Sequence, residues 1–260
     1  MWSLRLTSSS PVSFGGLIGE GFEHWLGHQR QFWSIAAAFA VLVALVDFAT
    51  PATSHGSQSG LIAFFYTYVL CYWFRLTMYD DWKARSATLS KTKETRNSIY
   101  RPGFPFVAFC LAYGITAFVI GFIALVSASV NIYDLNGLYL VEVFLLSALS
   151  YVVVAILFAN ILLFLPARAV GLRPHVQDSL RLASGVRMKL LGLALFCTFF
   201  SLVGAACIAV LVATHLASEI VVPVVHGIAV LVDLLALYIL AYGLGRLFIT
   251  KSGWQPEPLP

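Results

Sequence analysis

The sequence predicts an all-α polytopic membrane protein with six transmembrane helices. Two observations predict this class: 60% of the 260 residues are hydrophobic and only 11% are charged, and the hydrophobic residues are gathered in six runs of about 20 residues or more, the length that crosses a bilayer. A soluble domain has about 25% charged residues, so a soluble enzyme and a disordered chain are excluded. Backbone amides in lipid must be paired within their own segment, so each run is expected to be a helix.

The six predicted spans are bounded by polar, proline or glycine residues and leave only short segments between them. We therefore divide the chain into an N-terminal tail with an interfacial amphipathic helix (1–31), a six-helix transmembrane domain (32–250) and a C-terminal tail (251–260). The predicted spans are Phe32–Thr50, Leu61–Asp80, Phe106–Val130, Leu138–Leu165, Leu190–Thr214 and Ile220–Thr250.

The basic residues predict the orientation of the chain, because loops rich in lysine and arginine stay in the cytoplasm. All 16 lysines and arginines fall in the segments and helix ends on one side of the predicted membrane. The three loops on the other side carry none. Both termini are therefore expected in the cytoplasm. No pattern of a cleavable signal peptide is visible, so the first span is expected to remain as an anchor.

Apolar residues between Pro11 and Trp33 recur at the spacing of one helical face, and the opposite face holds glutamates, histidines and Arg30. This pattern predicts a helix lying in the cytoplasmic interface, or one that packs on a partner or on the chain's own loops. A shorter pattern between Pro174 and Gly185 predicts a second helix of this kind. The apolar face of the first helix includes Phe14, Ile18, Phe22, Trp25 and Trp33.

These two amphipathic segments align at an offset of 158 residues, which places Ile18 on Val176 and Phe32 on Leu190. Each segment is followed by one span that runs outward and one that runs back. The alignment predicts a duplicated unit of one interfacial helix and two spans, with the third and fourth spans inserted between the copies.

Three short motifs lie in and around the cytoplasmic segment that follows the fourth span: Leu165–Gly171 (LPARAVG), Asp178–Gly185 (DSLRLASG) and Lys189–Gly192 (KLLG). In these motifs the chain resembles a large group of bacterial six-span proteins. That group is similar to the membrane domain fused to some glycerophosphodiester phosphodiesterases. The resemblance implies a six-helix fold in the bacterial inner membrane. It implies no reaction, because the group is largely uncharacterised. A phosphodiesterase domain is not expected in this chain, because no soluble stretch is long enough to hold one.

Ionisable residues inside the spans are expected to face a partner, a cavity or the interface, since lipid exposure costs at least about 2.5 kcal/mol. Asp233 lies near the middle of the sixth span. Arg75 lies a similar number of residues from the outer end of the second span, so the helical rise places both at a similar depth. We predict an ion pair between them that fixes helix assembly, with a proton or ion pathway as the alternative. Glu142 is expected near the outer surface and His226 beside the last outer loop, and Asn160 is expected to bond between helices.

Aromatic residues are concentrated in the second span beyond the needs of an interfacial belt. Packing is the simpler interpretation, and the alternative is a surface for a lipid, an isoprenoid, a pigment, a quinone or a partner helix. Stripes of small residues that begin at Gly114 and Ser201 predict close contacts between helices. The residues of the possible lipid or partner surface are Tyr68, Tyr72 and Trp73.

The sequence contains no glycine-rich phosphate loop, no nucleophile elbow and no metal-ligand spacing, and its four cysteines are far apart. We therefore expect no cofactor and no enzymatic activity. The favoured role is a non-catalytic scaffold, assembly factor or accessory subunit of a larger membrane complex. Its expected partners are membrane lipids and other membrane subunits or a second copy, without nucleic acid. The alternatives are a small-solute or ion transporter or channel that uses Asp233 and Arg75, and a membrane enzyme acting on lipid.

Overall fold

The structure, a computed structural model, describes residues 13–49, 55–79, 104–128, 137–213 and 221–255. Within these ranges every regular element is a helix, as the composition predicts. The helices are α1 (Phe14–Gly27), α2 (Gln29–Ala49), α3 (His55–Met78), α4 (Phe104–Ala128), α5 (Gly137–Ala159), α6 (Phe164–Ala169), α7 (Val176–Ala183), α8 (Arg187–Ala213) and α9 (Val221–Ser252).

Several sequence-based expectations concern parts of the chain outside the described residues. These parts include the basic segment 80–103, both ends of the chain, and the segments 50–54, 129–136 and 214–220, which the sequence predicts on the other side of the membrane. The orientation that their charges predict therefore stays a prediction. Glu142 belongs to α5, but its side chain also lies outside the described part of the structure.

Three of the described helices are long and apolar enough to cross a membrane. They contain the apolar stretches Gln29–Val46, Arg187–Gly204 and Val221–Ser252. Two shorter apolar stretches, Phe104–Thr116 in α4 and Ala148–Ala159 in α5, are also helical. These helices support the membrane class that the hydrophobic composition predicts.

The central helix of the fold is α9, which α1, α2, α3 and α8 all contact. Glycines on α9 allow two of these neighbours to approach closely, since a glycine has no side chain to hold them apart. Gly227 faces Ala44 of α2, and a Cβ atom placed on Gly243 would lie only 2.9 Å from Leu193 of α8. The helices that bury α9 are thus held at short range on two of its sides.

The N-terminal helix α1 packs on the C-terminal half of α9, the half that the sequence predicts on the cytoplasmic side. It begins at Phe14, where the hydroxyl of Ser13 accepts a hydrogen bond of 3.0 Å from the backbone N–H of Gly16, the usual way to satisfy a free amide at a helix start. Leu17 is fully buried, and a Cβ atom on Gly21 would lie 3.2 Å from Ile239 of α9. The surface that α1 covers is therefore a long helix of its own chain.

The residues assigned to the apolar face of this segment do not share one environment. Ile18 and Trp25 pack against the buried core, and Phe22 is half-buried. Phe14 is partly exposed, and Trp33 lies on α2 with 44% of its surface exposed. The segment is divided at residue 28, so Trp33 belongs to α2 and the other four residues belong to α1.

The fourth predicted span, Leu138–Leu165, is too long. Helix α5 ends at Ala159, and a turn follows in which the backbone N–H of Ile161 donates to the carbonyl of Phe158 at 2.9 Å. Asn160, expected to bond between helices inside a span, lies half-buried in this turn. Hydropathy does not reveal the break because the residues on both sides of it are apolar, and such tight turns are common where helices end.

The second amphipathic helix is found where the sequence predicts it, as α7. The Asp178 carboxylate accepts a hydrogen bond of 2.8 Å from the backbone N–H of His175, which caps the start of the helix. Gly185 follows the helix with φ at 78°, the left-handed conformation that glycine adopts readily at helix ends.

Candidate functional site

A cavity of about 580 Å³ lies among the helices of the bundle. Residues of α3, α4, α5, α8 and α9 line it, together with Leu162 and Leu165 near the connection of α5 to α6. Its walls are mostly apolar and carry a small number of polar groups. This size and this composition are typical of sites for small molecules, which measure about 300 to 1,000 Å³.

Polar groups line the cavity from all five helices, and five of these residues belong to α8 and α9. Thr198 and Ser201 supply hydroxyl groups, Cys197 supplies a thiol, and His226 and Asp233 supply an imidazole and a carboxyl group. Among the described residues, no lysine or arginine lines the cavity. The walls therefore offer hydrogen-bonding groups and a carboxyl group, but no permanently positive side chain.

Asp233 is half-buried, and Ser201 of α8 lines the same cavity and interacts with its carboxyl group. The Oδ1 atom of Asp233 is buried and has no hydrogen-bond partner in the described part of the chain. A buried polar atom without a partner costs about 1–3 kcal/mol, and more when it is charged. The site therefore holds an acidic group whose hydrogen bonding is incomplete.

The predicted ion pair between Arg75 and Asp233 is wrong. Arg75 is buried in the last turn of α3, where its Nε donates to the carbonyl oxygen of Ala169 in α6 at 2.7 Å. Tyr66, nine residues earlier on α3, lines the cavity together with Asp233, so Arg75 lies about 13 Å further along the helix. Counting residues from the ends of apolar runs gave the wrong pairing because it ignored the axial offset between helices.

His226 lies seven residues before Asp233 on α9 and lines the same cavity. Seven residues are about two helical turns, so the two side chains share one face. His226 is therefore part of the cavity wall. The sequence predicted a histidine beside the outer loop and did not predict this role.

The aromatic residues of the second predicted span belong partly to the core. Trp73 is fully buried, and its ring centroid lies 5.6 Å from that of Phe32 and 5.6 Å from that of Tyr238. The assignment of Trp73 to a lipid or partner surface is therefore wrong. Tyr68 and Tyr72 are half-buried.

A second polar cluster joins α1 to α9 outside the cavity. His24 Nδ1 and the hydroxyl of Tyr238 share a hydrogen bond of 2.8 Å. The hydroxyl of Tyr242 donates to Glu20 Oε2 at 3.2 Å, and Arg246 Nε lies 3.5 Å from the same oxygen. Sequence reasoning placed Glu20 and His24 on an outward polar face and missed these contacts. The sequence did contain a signal for them. Glu20 and His24 are four residues apart, and their partners on α9, Tyr238, Tyr242 and Arg246, follow each other at the same spacing.

The cavity itself was also missed, although its residues follow helical spacing. Cys197, Thr198 and Ser201 fall on one face of α8. Gly114 and Ser201, expected to mark close helix contacts, line the cavity instead, and a Cβ atom on Gly114 would meet no other atom within 4 Å. Small residues therefore leave open space at these positions.

Comparisons with protein-family models, with curated proteins and with solved structures find no match for this chain. The resemblance to the six-span bacterial group stays a prediction. Within the described ranges, no group of three or more histidine, cysteine, aspartate or glutamate side chains is arranged to hold a metal ion. The chemistry of the site is therefore argued from its own walls: apolar surface, aromatic rings, hydroxyl groups and one carboxyl group.

Proposed function

We propose that this chain is a six-span protein of a bacterial inner membrane that binds a small, largely apolar molecule in the cavity between α3, α4, α5, α8 and α9. The observation that carries the proposal is the cavity itself, about 580 Å³ in volume with few polar groups. Protein interiors are close-packed and contain few voids larger than a water molecule. The space is a half-open cleft between helices, and mostly apolar clefts of this size are typical of small-molecule sites.

The proposed topology rests on helix length and on charge. Six helices, α2, α3, α4, α5, α8 and α9, have at least 21 residues each, which corresponds to about 30 Å at 1.5 Å per residue. An even number of spans places both termini on one side, and the distribution of basic residues assigns that side to the cytoplasm. Reporter fusions after residues 54, 103, 134, 175 and 217 test it, since cytoplasmic activity is expected only for the second and fourth.

A cavity of this kind favours the alternative of a small-solute transporter. Asp233 belongs to the proposed site, and Arg75 does not. Binding inside the membrane is the first step of transport and equally of ligand sensing by a membrane subunit. The scaffold or accessory role and the lipid-acting enzyme stay predictions, and neither draws support from the geometry of the cavity.

The direct test of binding uses two glycines at which a Cβ atom would meet no other atom within 4 Å. Gly114 lines the cavity, so Gly114→Phe narrows it without a clash at Cβ. Gly19 lies on α1 outside the cavity, so Gly19→Phe is the matched control. Both replacements remove a helical glycine, which by itself favours the helix.

The probe is adamantanol, a compact and neutral molecule, and the assay is the thermal stability of the purified protein in detergent at increasing probe concentration. We expect the unchanged chain and Gly19→Phe to bind adamantanol with the same affinity. We expect Gly114→Phe to bind it at least about tenfold more weakly. Equal binding by Gly114→Phe would contradict the proposal, as would the absence of any stabilisation of the unchanged chain.

A second test looks for the natural ligand. Protein purified from native membranes in mild detergent is extracted with organic solvent, and the extract is examined by mass spectrometry. We expect a small molecule in near-stoichiometric amount with the Gly19→Phe protein and its loss from the Gly114→Phe protein.

A further inference from the structure

We propose that the ligand of the cavity is an organic cation, an apolar body carrying a protonated amine that pairs with Asp233. This inference rests on the proposed binding function and adds the chemical class of the ligand. It starts from the charges of the walls: Asp233 contributes a carboxyl group, and none of the described lining residues is a lysine or an arginine.

The other groups that interact with the carboxyl carry no permanent positive charge. Tyr66 on α3 and Cys197 on α8 line the cavity with Asp233 and interact with it electrostatically. Both are acids that carry no positive charge in either protonation state. His226 is the remaining titratable group that interacts with Asp233, and it lies two turns away along α9. Arg75, the cation expected from the sequence, bonds to the Ala169 carbonyl instead.

The hydrogen bonding of Asp233 leaves room for a donor from the ligand. Ser201 interacts with the carboxyl group, while Oδ1 has no hydrogen-bond partner among the described residues. Hydrogen bonds between an ammonium and a carboxylate are roughly twice as strong as neutral ones. A protonated amine in the cavity would supply both the missing donor and the missing positive charge.

Aromatic rings in the same walls support a cation independently. Tyr66, Phe109, Tyr113 and Tyr151 all line the cavity. The faces of aromatic rings attract cations, and organic ammonium groups are recognised in this way in aromatic cages. An anionic ligand would meet these ring faces and the carboxyl group as repulsive surfaces.

The depth of Asp233 favours a free small cation over an amino lipid. Asp233 lies 12 residues beyond the first residue of α9, about 18 Å along the helix axis. A lipid headgroup stays at the membrane surface, whereas a compact amine can enter the cavity completely.

The test compares three probes that share one apolar body: adamantylamine, adamantanol and adamantane carboxylate. They are titrated against the unchanged full chain, Asp233→Asn and Glu23→Gln, purified in detergent. Glu23→Gln is the matched control, because it makes the same chemical change at an exposed position of α1. We expect the amine to bind the unchanged chain at least about tenfold more tightly than the alcohol, and the carboxylate to bind more weakly than both.

Asp233→Asn is expected to lower the affinity for the amine by about tenfold or more and to change that for the alcohol by less than about twofold. Glu23→Gln is expected to match the unchanged chain with all three probes. Equal affinity for amine and alcohol, or an Asn variant that keeps the amine preference, would overturn the cation proposal. Alcohol binding that is lost in Gly114→Phe would leave the proposed binding function intact in either case.

Two further variants keep the inference testable if Asp233→Asn does not fold. Asp233→Glu keeps the charge, so it is expected to keep the preference for the amine. Tyr66→Leu removes an aromatic face next to the carboxyl group and is expected to weaken amine binding by about threefold, with the alcohol unchanged. Loss of the preference in the Glu variant together with full retention in the Leu variant would contradict the assignment.

Discussion

Replacing Trp73 with alanine tests whether the aromatic second span is packed core. The side chain is 0% exposed, and its ring lies against Phe32 of α2 and Tyr238 of α9. Its removal leaves a void bounded by three helices that other contacts hold in place, so the void cannot close. We expect Trp73→Ala to lower the free energy of unfolding by about 3–5 kcal/mol, the usual cost of truncating a buried aromatic residue.

Two companion variants define the origin of that loss. The Nε1 atom of Trp73 is buried without a hydrogen-bond partner among the described residues, a cost of about 1–3 kcal/mol that phenylalanine does not carry. Trp73→Phe is therefore expected to stay within about 1.5 kcal/mol of the unchanged chain, because this gain offsets part of the lost ring volume. Trp33→Ala is the control, since Trp33 is 44% exposed, and its expected cost is below about 1 kcal/mol.

The measurement is unfolding in mixed micelles of increasing SDS content, followed by far-ultraviolet circular dichroism so that the loss of an indole does not disturb the signal. If Trp73→Ala and Trp33→Ala differ by less than about 1 kcal/mol, Trp73 does not contribute the packing that its burial implies. A Trp73→Phe variant as unstable as the alanine variant would show instead that the indole N–H has a stabilising partner.

Three more predictions concern local contacts and use the same unfolding assay. A double-mutant cycle of His24→Ala and Tyr238→Phe is expected to give a coupling of about 1 kcal/mol from their hydrogen bond, and a coupling near zero would contradict it. Gly185→Ala is expected to cost about 1–2 kcal/mol because φ there is 78°, whereas Gly19→Ala on an open helical face is expected to stabilise by about 1 kcal/mol; equal signs would refute the reasoning. Arg75→Met is expected to cost at least about 1 kcal/mol through the lost bond to a buried carbonyl, and an unchanged stability would show that this bond contributes nothing.

Helix positions could be predicted where an apolar run ends at polar residues. The runs Phe106–Val130 and Leu190–Thr214 correspond closely to Phe104–Ala128 and Arg187–Ala213 in the structure. The same method misplaced the end of α5 at Ala159, because the chain there turns inside apolar surroundings. Hydropathy measures solvent preference, so it detects helix ends only where they coincide with a change of solvent.

The site was predictable only in part, for a different physical reason. Asp233 was identified because a carboxyl group inside an apolar run is costly and therefore demands an explanation. Its surroundings were not, since Tyr66 and Ser201 come from other helices, and one sequence does not determine which helix faces meet. The position of Arg75 along its helix did not predict its partner, because its guanidinium donates to the backbone carbonyl of Ala169 and not to a carboxylate.

The two units of the predicted repeat can be compared through the packing of their helices. Helices α2 and α8 begin 158 residues apart, and Phe32 and Leu190 are buried at matching positions. The packing of the two units differs. Helix α2 packs mainly against α9 and only slightly against α3, while α8 packs along α9. Both α2 and α8 therefore pack against the same central helix, and this shared packing requirement favours similar apolar patterns in the two segments.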